Sequence, residues 1–214
     1  MNWLDVAGPP GSGKSTICYP LWGDKEVVSD GFPPPAEWLD FIDEIGRLLR
    51  IVWERTLFVP ELGRSIDLHL PAARMNARSL HKMAAVSRMP DTERGPFIQA
   101  GFIQRGLGFG WRMVALGEDV NEIRPFFRLM PVSLGAVFLN ISEEACIARN
   151  KARRLVPETA HEDRSYQVPR YQEPLRVARE VLQERGVPIL ELDVEHQSPD
   201  ESRRQLQTFA KELS

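Results

Sequence analysis

Apolar positions along the chain change period several times, and each change marks an element. Trp3-Leu4-Asp5-Val6-Ala7 is a short apolar run bounded by Gly8, which predicts a buried first strand over residues 2–7. A helix is predicted to start over Lys14 to about Tyr19, ended or kinked early by Pro20. Glu26-Val27-Val28-Ser29-Asp30 reads as a second strand, closed by Gly31 and the stiff Pro33-Pro34-Pro35 turn. From Ala36 to about Thr56, Leu39, Ile42, Ile45, Leu49, Val52 and Trp53 recur at helical spacing. Residues 57–70 carry no clear period. A further helix opens at Pro71, with Ala73, Ala77, Leu80 and Ala84 in one stripe.

The second half repeats this alternation. Pro96 to Ile103 has the apolar density of a third strand, and a helix is predicted from Gly110 to about Leu129. Gly135 to Ile141 is the clearest later strand, followed by Ser142 as N-cap with Glu143 and Glu144 in the first helical turn. Residues 157–169 are polar and predict a flexible loop. Pro174 opens a helix that Gly186 closes, Val187 to Val194 forms a strand, and Ser198-Pro199-Asp200-Glu201 starts the last helix. Strands alternating with helices imply an α/β fold of three αβα layers around a parallel five-stranded sheet. One domain over residues 1–214 is expected, with a helical substrate-binding region at 36–90.

Composition narrows the function classes. Lys and Arg number 27 against 30 Asp and Glu, a formal charge of −3. No global basic field exists of the kind that nucleic-acid binding uses, so nucleic acid is not an expected partner. Cys18 and Cys146 show no metal or disulfide spacing and suit core packing in a reducing compartment. No stretch approaches ~18 apolar residues and no export signal opens the chain, so a cytoplasmic location without membrane contact is expected.

The decisive motif follows the first strand. Gly8-Pro9-Pro10-Gly11-Ser12-Gly13-Lys14-Ser15-Thr16 fits GxxxxGK[ST], the P-loop. Its glycines let backbone N–H groups turn around phosphates, Lys14 reaches β/γ-phosphates, and Ser15 offers its hydroxyl to Mg²⁺. The helix that begins nearby adds its positive dipole end. ATP and Mg²⁺ are the implied cofactors.

In order, the P-loop, a helical region, the segment VFLNISEEACIARNKARR and a final strand-helix pair resemble the adenylate-kinase-like P-loop phosphotransferases, the nucleoside and nucleotide kinases. The resemblance implies a lid over residues 149–169, with Arg149, Arg153 and Arg154 closing on the phosphates. Guanidinium groups suit that task, although basic residues in a last helical turn also simply complement the dipole.

The family's acidic residue after the third strand is replaced by Gln99 or Gln104, depending on alignment. Asp30 is the leading substitute, as general base or holder of a metal-bound water, against a plain turn role before Gly31. Glu61 is a second candidate. Arg105, expected to emerge at the ligand edge after a predicted strand, ranks before the helix arginines as a basic group for the site. Arg74, Arg78, His81 and Lys82 form a basic face that would hold an anionic acceptor or would simply be solvated. Phe32, Trp38, Phe102, Phe109 and Trp111 read as core before they read as a base-stacking platform. The chain therefore reads as an ATP-dependent kinase of a small acceptor such as a nucleoside or nucleotide. A regulatory nucleotide-binding module with little turnover, and a polynucleotide kinase or NTPase, are the alternatives. The oligomeric state is open, a dimer included.

Overall fold

A computed structural model describes residues 3–22, 34–56, 80, 84, 97–99, 101–154 and 165–213. Strand β1 (Trp3–Ala7) leads through the P-loop into helix α1 (Lys14–Trp22). A 3-10 turn (Ala36–Trp38) precedes α2 (Leu39–Thr56), and β2 (Phe97–Gln99) is followed closely by α3 (Phe102–Leu116). After a 3-10 turn (Val120–Ile123) come α4 (Arg124–Leu129), β3 (Gly135–Asn140) and α5 (Glu143–Arg154). A 3-10 stretch (Ser165–Tyr171) then leads to α6 (Gln172–Glu184), β4 (Ile189–Asp193) and α7 (Pro199–Glu212).

The four described strands form one parallel sheet in the order β2-β1-β3-β4. The fifth expected strand, Glu26 to Asp30, lies outside the described residues. Side chains alternate across the sheet. Trp3, Ala7, Ala136 and Phe138 face a core built with α2, α3, α4 and α6, whereas Leu4, Val6, Val137 and Leu139 face Ile17 and Cys18 of α1 and Leu206 and Ala210 of α7. Helices thus cover both faces, which is why every residue of β1 is buried. β1 sits between β2 and β3, and the chain crosses over it after β2. Its C-terminal end is therefore the topological switch point, where open parallel sheets collect ligands.

Several boundaries differ from the sequence expectation. Helix α1 continues through Pro20 to Trp22 instead of stopping at Tyr19, the proline removing one backbone donor without ending the helix. The third strand stops at Gln99, and Ile103 already belongs to α3. The helix predicted over 110–129 is two helices. Gly117 at φ +71° ends α3 in a left-handed cap, with Glu118 N–H donating to Met113 O at 2.9 Å. The apolar stripe of α2 is rotated: Phe41, Ile45, Leu48 and Val52 are buried, while Leu39 and Trp53 are 59% and 46% exposed. The expected loop at 157–169 is helical from Ser165, where buried Val168 and Tyr171 anchor it.

Other expectations hold. Ser142 Oγ caps α5 by accepting from Ala145 N–H at 3.2 Å, and Ser198 and Glu201 form a capping box on α7. Trp38, Phe102, Phe109 and Trp111 are core residues, Trp38 meeting Phe102 edge-on at 5.6 Å, and both cysteines are buried. Phe32 lies outside the described residues.

Close packing at Gly106 shows how little room this core leaves. A Cβ there would stand 2.5 Å from two ring carbons of Phe127. Gly106→Ala is expected to destabilise the protein by about 1–3 kcal/mol, measured as a lowered urea midpoint.

Candidate active site at the end of strand β1

The P-loop leaves β1 at Gly8 and enters α1 at Lys14. Gly11 and Gly13 take φ +85° and +90°, a region that residues with a Cβ rarely adopt. At Gly11 a Cβ would also come within 2.6 Å of Cys146 O and 2.7 Å of Asn150 Nδ2. Helix α5 therefore packs directly on the loop.

Turning the loop leaves its carbonyls to be satisfied by neighbours. Lys14 Nζ donates to Gly8 O at 2.7 Å, Pro9 O at 2.9 Å and Ser12 Oγ at 3.2 Å. Asn150 Nδ2 donates to Pro10 O at 2.9 Å and to Cys146 O at 3.0 Å, tying the loop to α5. At the loop's root, Gly8 N–H donates to Gln104 Oε1 at 3.1 Å. The hydroxyls of Ser15 and Thr16 lie on exposed residues at the first turn of α1.

Arg149 is the nearest described lid candidate. Its Nη1 would touch a Cβ on Gly13 at 3.8 Å, and its Nη2 donates to Val194 O at 2.9 Å, which holds it between the loop and the turn after β4. Arg153 and Arg154 sit in the last turn of α5, their side chains outside the described residues. Asp30, Glu61, Arg74, Arg78, His81 and Lys82 also lie outside them.

Arg105 departs from its expected place. It does not emerge from a strand end but lies in the first turn of α3, largely shielded from solvent. Burial lowers its pKa, opposed by the Asp5 charge and by Tyr171. Of the two alternatives for the missing acid, Gln99 ends the strand, whereas Gln104 is helical and holds the P-loop.

Among the described residues, a carboxylate at this junction comes from within an apolar strand. Asp5 is fully buried and accepts from Gly101 N–H at 2.8 Å and Ile103 N–H at 2.9 Å, satisfying the start of α3. Desolvation raises its pKa to about 6, against the backbone hydrogen bonds and the Arg105 charge, which favour ionisation. Its only sequence signal is a charge in the middle of a strand whose neighbours are all apolar. Asn150 was equally silent, an amide one turn from Cys146 within a basic helix.

The residue types fit a triphosphate: a glycine-turned loop, an ammonium, two exposed hydroxyl residues and a helix N-terminus follow one another at the end of β1. For Mg²⁺ the described residues supply the Ser15 hydroxyl. Both Asp5 oxygens are committed to α3, and no cluster of three or more His, Cys, Asp or Glu occurs among the described residues.

No protein-family model and no curated protein matches the chain. Solved structures do. Deoxyadenosine kinase from M. mycoides with bound dATP superimposes with a TM-score of 0.52 at 15% identity, covering 99% of this chain and 100% of that one. The same enzyme with bound dCTP gives 0.50 at 11% identity, covering 98% of each. The chain has a P-loop nucleoside-kinase fold. In that nucleoside-kinase fold the P-loop, the start of α3 and the middle of α5 meet at the end of β1, joined by Gln104 and Asn150.

Two outcomes follow. Asn150→Ala is expected to cost about 1–2 kcal/mol in urea unfolding, because Pro10 O loses its side-chain donor and Cys146 O a second one beside its helical N–H. Burial pushes the Asp5 carboxyl in the folded protein from its ordinary value of 3.8 up to about 6. Between these values the folded protein keeps a proton that the unfolded chain has released, so stability falls as pH rises through that window and levels above it. Asp5→Asn should flatten that segment of the pH–stability curve.

Proposed function

We propose that the chain is an ATP-dependent phosphotransferase acting on a small hydroxyl-bearing acceptor of the nucleoside or nucleotide class. The observation that carries this reading is the P-loop, its Lys14 ammonium and the Arg149 guanidinium converging at the switch point of a nucleoside-kinase fold. The fold supports the reading through its likeness to deoxyadenosine kinase structures with bound dATP and dCTP.

In the proposed reaction the acceptor hydroxyl attacks the γ-phosphorus, the β,γ-bridging P–O bond breaks, and ADP leaves. Asp30 is proposed to take the hydroxyl proton. Loop amides from Gly11 onward hold the phosphates. Lys14 exchanges its loop acceptors for β/γ-phosphate oxygens, and Arg105, Arg149 and Arg153 supply positive charge around the transferring group. Mg²⁺ would be held through Ser15 and would supply positive charge against the phosphates. The region over 36–90 is assigned to the acceptor and that over 149–169 to the lid, within one domain. No helix among the described residues is long and apolar enough to cross a membrane.

A second reading, a nucleotide-binding module with little turnover, is favoured by one observation: Asp5, the carboxylate at the junction, has both oxygens engaged by α3. A coupled ADP-release assay across nucleosides and nucleoside monophosphates separates the two. Turnover stimulated by one acceptor is expected, falling on the order of 100-fold or more in Lys14→Met. ATP binding without stimulation by any acceptor would favour the module.

A further inference from the structure

The start of β1's loop and the start of α3 are joined twice, in opposite directions. Asp5, from the strand, accepts the backbone N–H groups of Gly101 and Ile103. Gln104, from the helix, accepts the backbone N–H of Gly8. Residues 5–8 and 101–104 thus form a closed ring of hydrogen bonds in which each segment contributes one side chain. Gly8 is held at both polar ends, its N–H by Gln104 and its carbonyl by Lys14.

We propose that Asp5 and Gln104 act as a positioning relay, in which ionised Asp5 fixes the first turn of α3 and thereby holds Gln104 on the root of the P-loop, setting nucleotide affinity. This proposal rests on the reading of the P-loop as a triphosphate site.

The physical argument has three parts. A carboxylate at a helix N-terminus gains from the dipole and from charge-assisted N–H bonds, and protonation weakens both. Gln104 is the residue directly after Ile103, so a shift of that turn is passed to its amide without an intervening element. Ionised Asp5 is also a poor choice for stability alone, because burial disfavours its charged form. Among the described residues, the charged and titratable groups around Asp5 are few. Arg105 of α3 favours its ionisation, Cys18 of α1 interacts with it weakly, and Tyr171 faces Arg105 from the 3-10 stretch. Its strand neighbours in register, Gln99 and Ala136, carry no charge.

The test is the dissociation constant of ATP with Mg²⁺, measured calorimetrically from pH 5 to 8 in the wild-type chain and in Gln104→Leu. Protonation of the phosphates themselves affects both proteins alike and cancels in the ratio. The expected ratio is about 5- to 10-fold weaker binding for the variant above pH 7, the loss of one hydrogen bond, shrinking towards unity at pH 5. At pH 7.5 Asp5→Asn should bind ATP as weakly as Gln104→Leu does at the same pH, and the double variant should bind no more weakly than either single one. If Asp5→Asn fails to fold, the Gln104→Leu profile decides alone. A ratio that is constant with pH, or near unity throughout, overturns the relay while leaving the phosphate site intact. A wild-type chain that binds no ATP at any pH overturns both.

Discussion

A loop that turns its N–H groups inward must turn its carbonyls outward, and those carbonyls need donors that the loop cannot supply. In this chain the demand is sharpened by Pro9 and Pro10, which bring carbonyls without N–H groups. Lys14 answers for Gly8 and Pro9, and Asn150 answers for Pro10. Because Asn150 belongs to α5, the loop's shape depends on a helix whose contact with it spans 140 positions in sequence. The site is therefore not a local motif resting on a scaffold. It is a meeting of β1, α3 and α5, and each holds part of the loop's backbone.

This arrangement bears on how α5 relates to the phosphate site. Asn150 and Arg149 are consecutive, so the residue that clasps Pro10 fixes the base of the side chain that lies beside Gly13. Arg149 is tied at its other end to Val194 O, and Glu195 accepts from Ser142 N–H and Oγ, binding the start of α5 to the turn after β4. Helix α5 is thus fastened to the loop at one side and to the turn after β4 at the other.

Much of this was legible in the residues. The P-loop, the parallel α/β organisation and the Ser142 and Ser198 caps are local signals, and they hold because capping and periodicity depend on neighbours a few positions apart. The misreadings share a cause. Arg105 was placed at a strand end because Phe102 and Ile103 extend an apolar run, yet an apolar run fits a buried helix start as well as a strand. The α2 stripe was rotated because Leu39 and Trp53 match the helical period as well as Phe41 and Leu48 do, and only the position of the sheet chooses between them. Asp5 sits inside a run that reads as an apolar strand. Its role depends on Gly101 and Ile103, 96 and 98 positions away.

By itself the sequence determined that a phosphate-binding loop follows the first strand of an α/β sheet, since glycine placement, Lys14 and the capping residues act within a few residues of one another. Tertiary structure decided what holds that loop. The partners of Gly8, Pro10 and Asp5 come from helices distant in sequence, and hydrogen bonds operate over about 3 Å of space. The helices bring those partners to the loop only after the sheet has formed and both of its faces are covered.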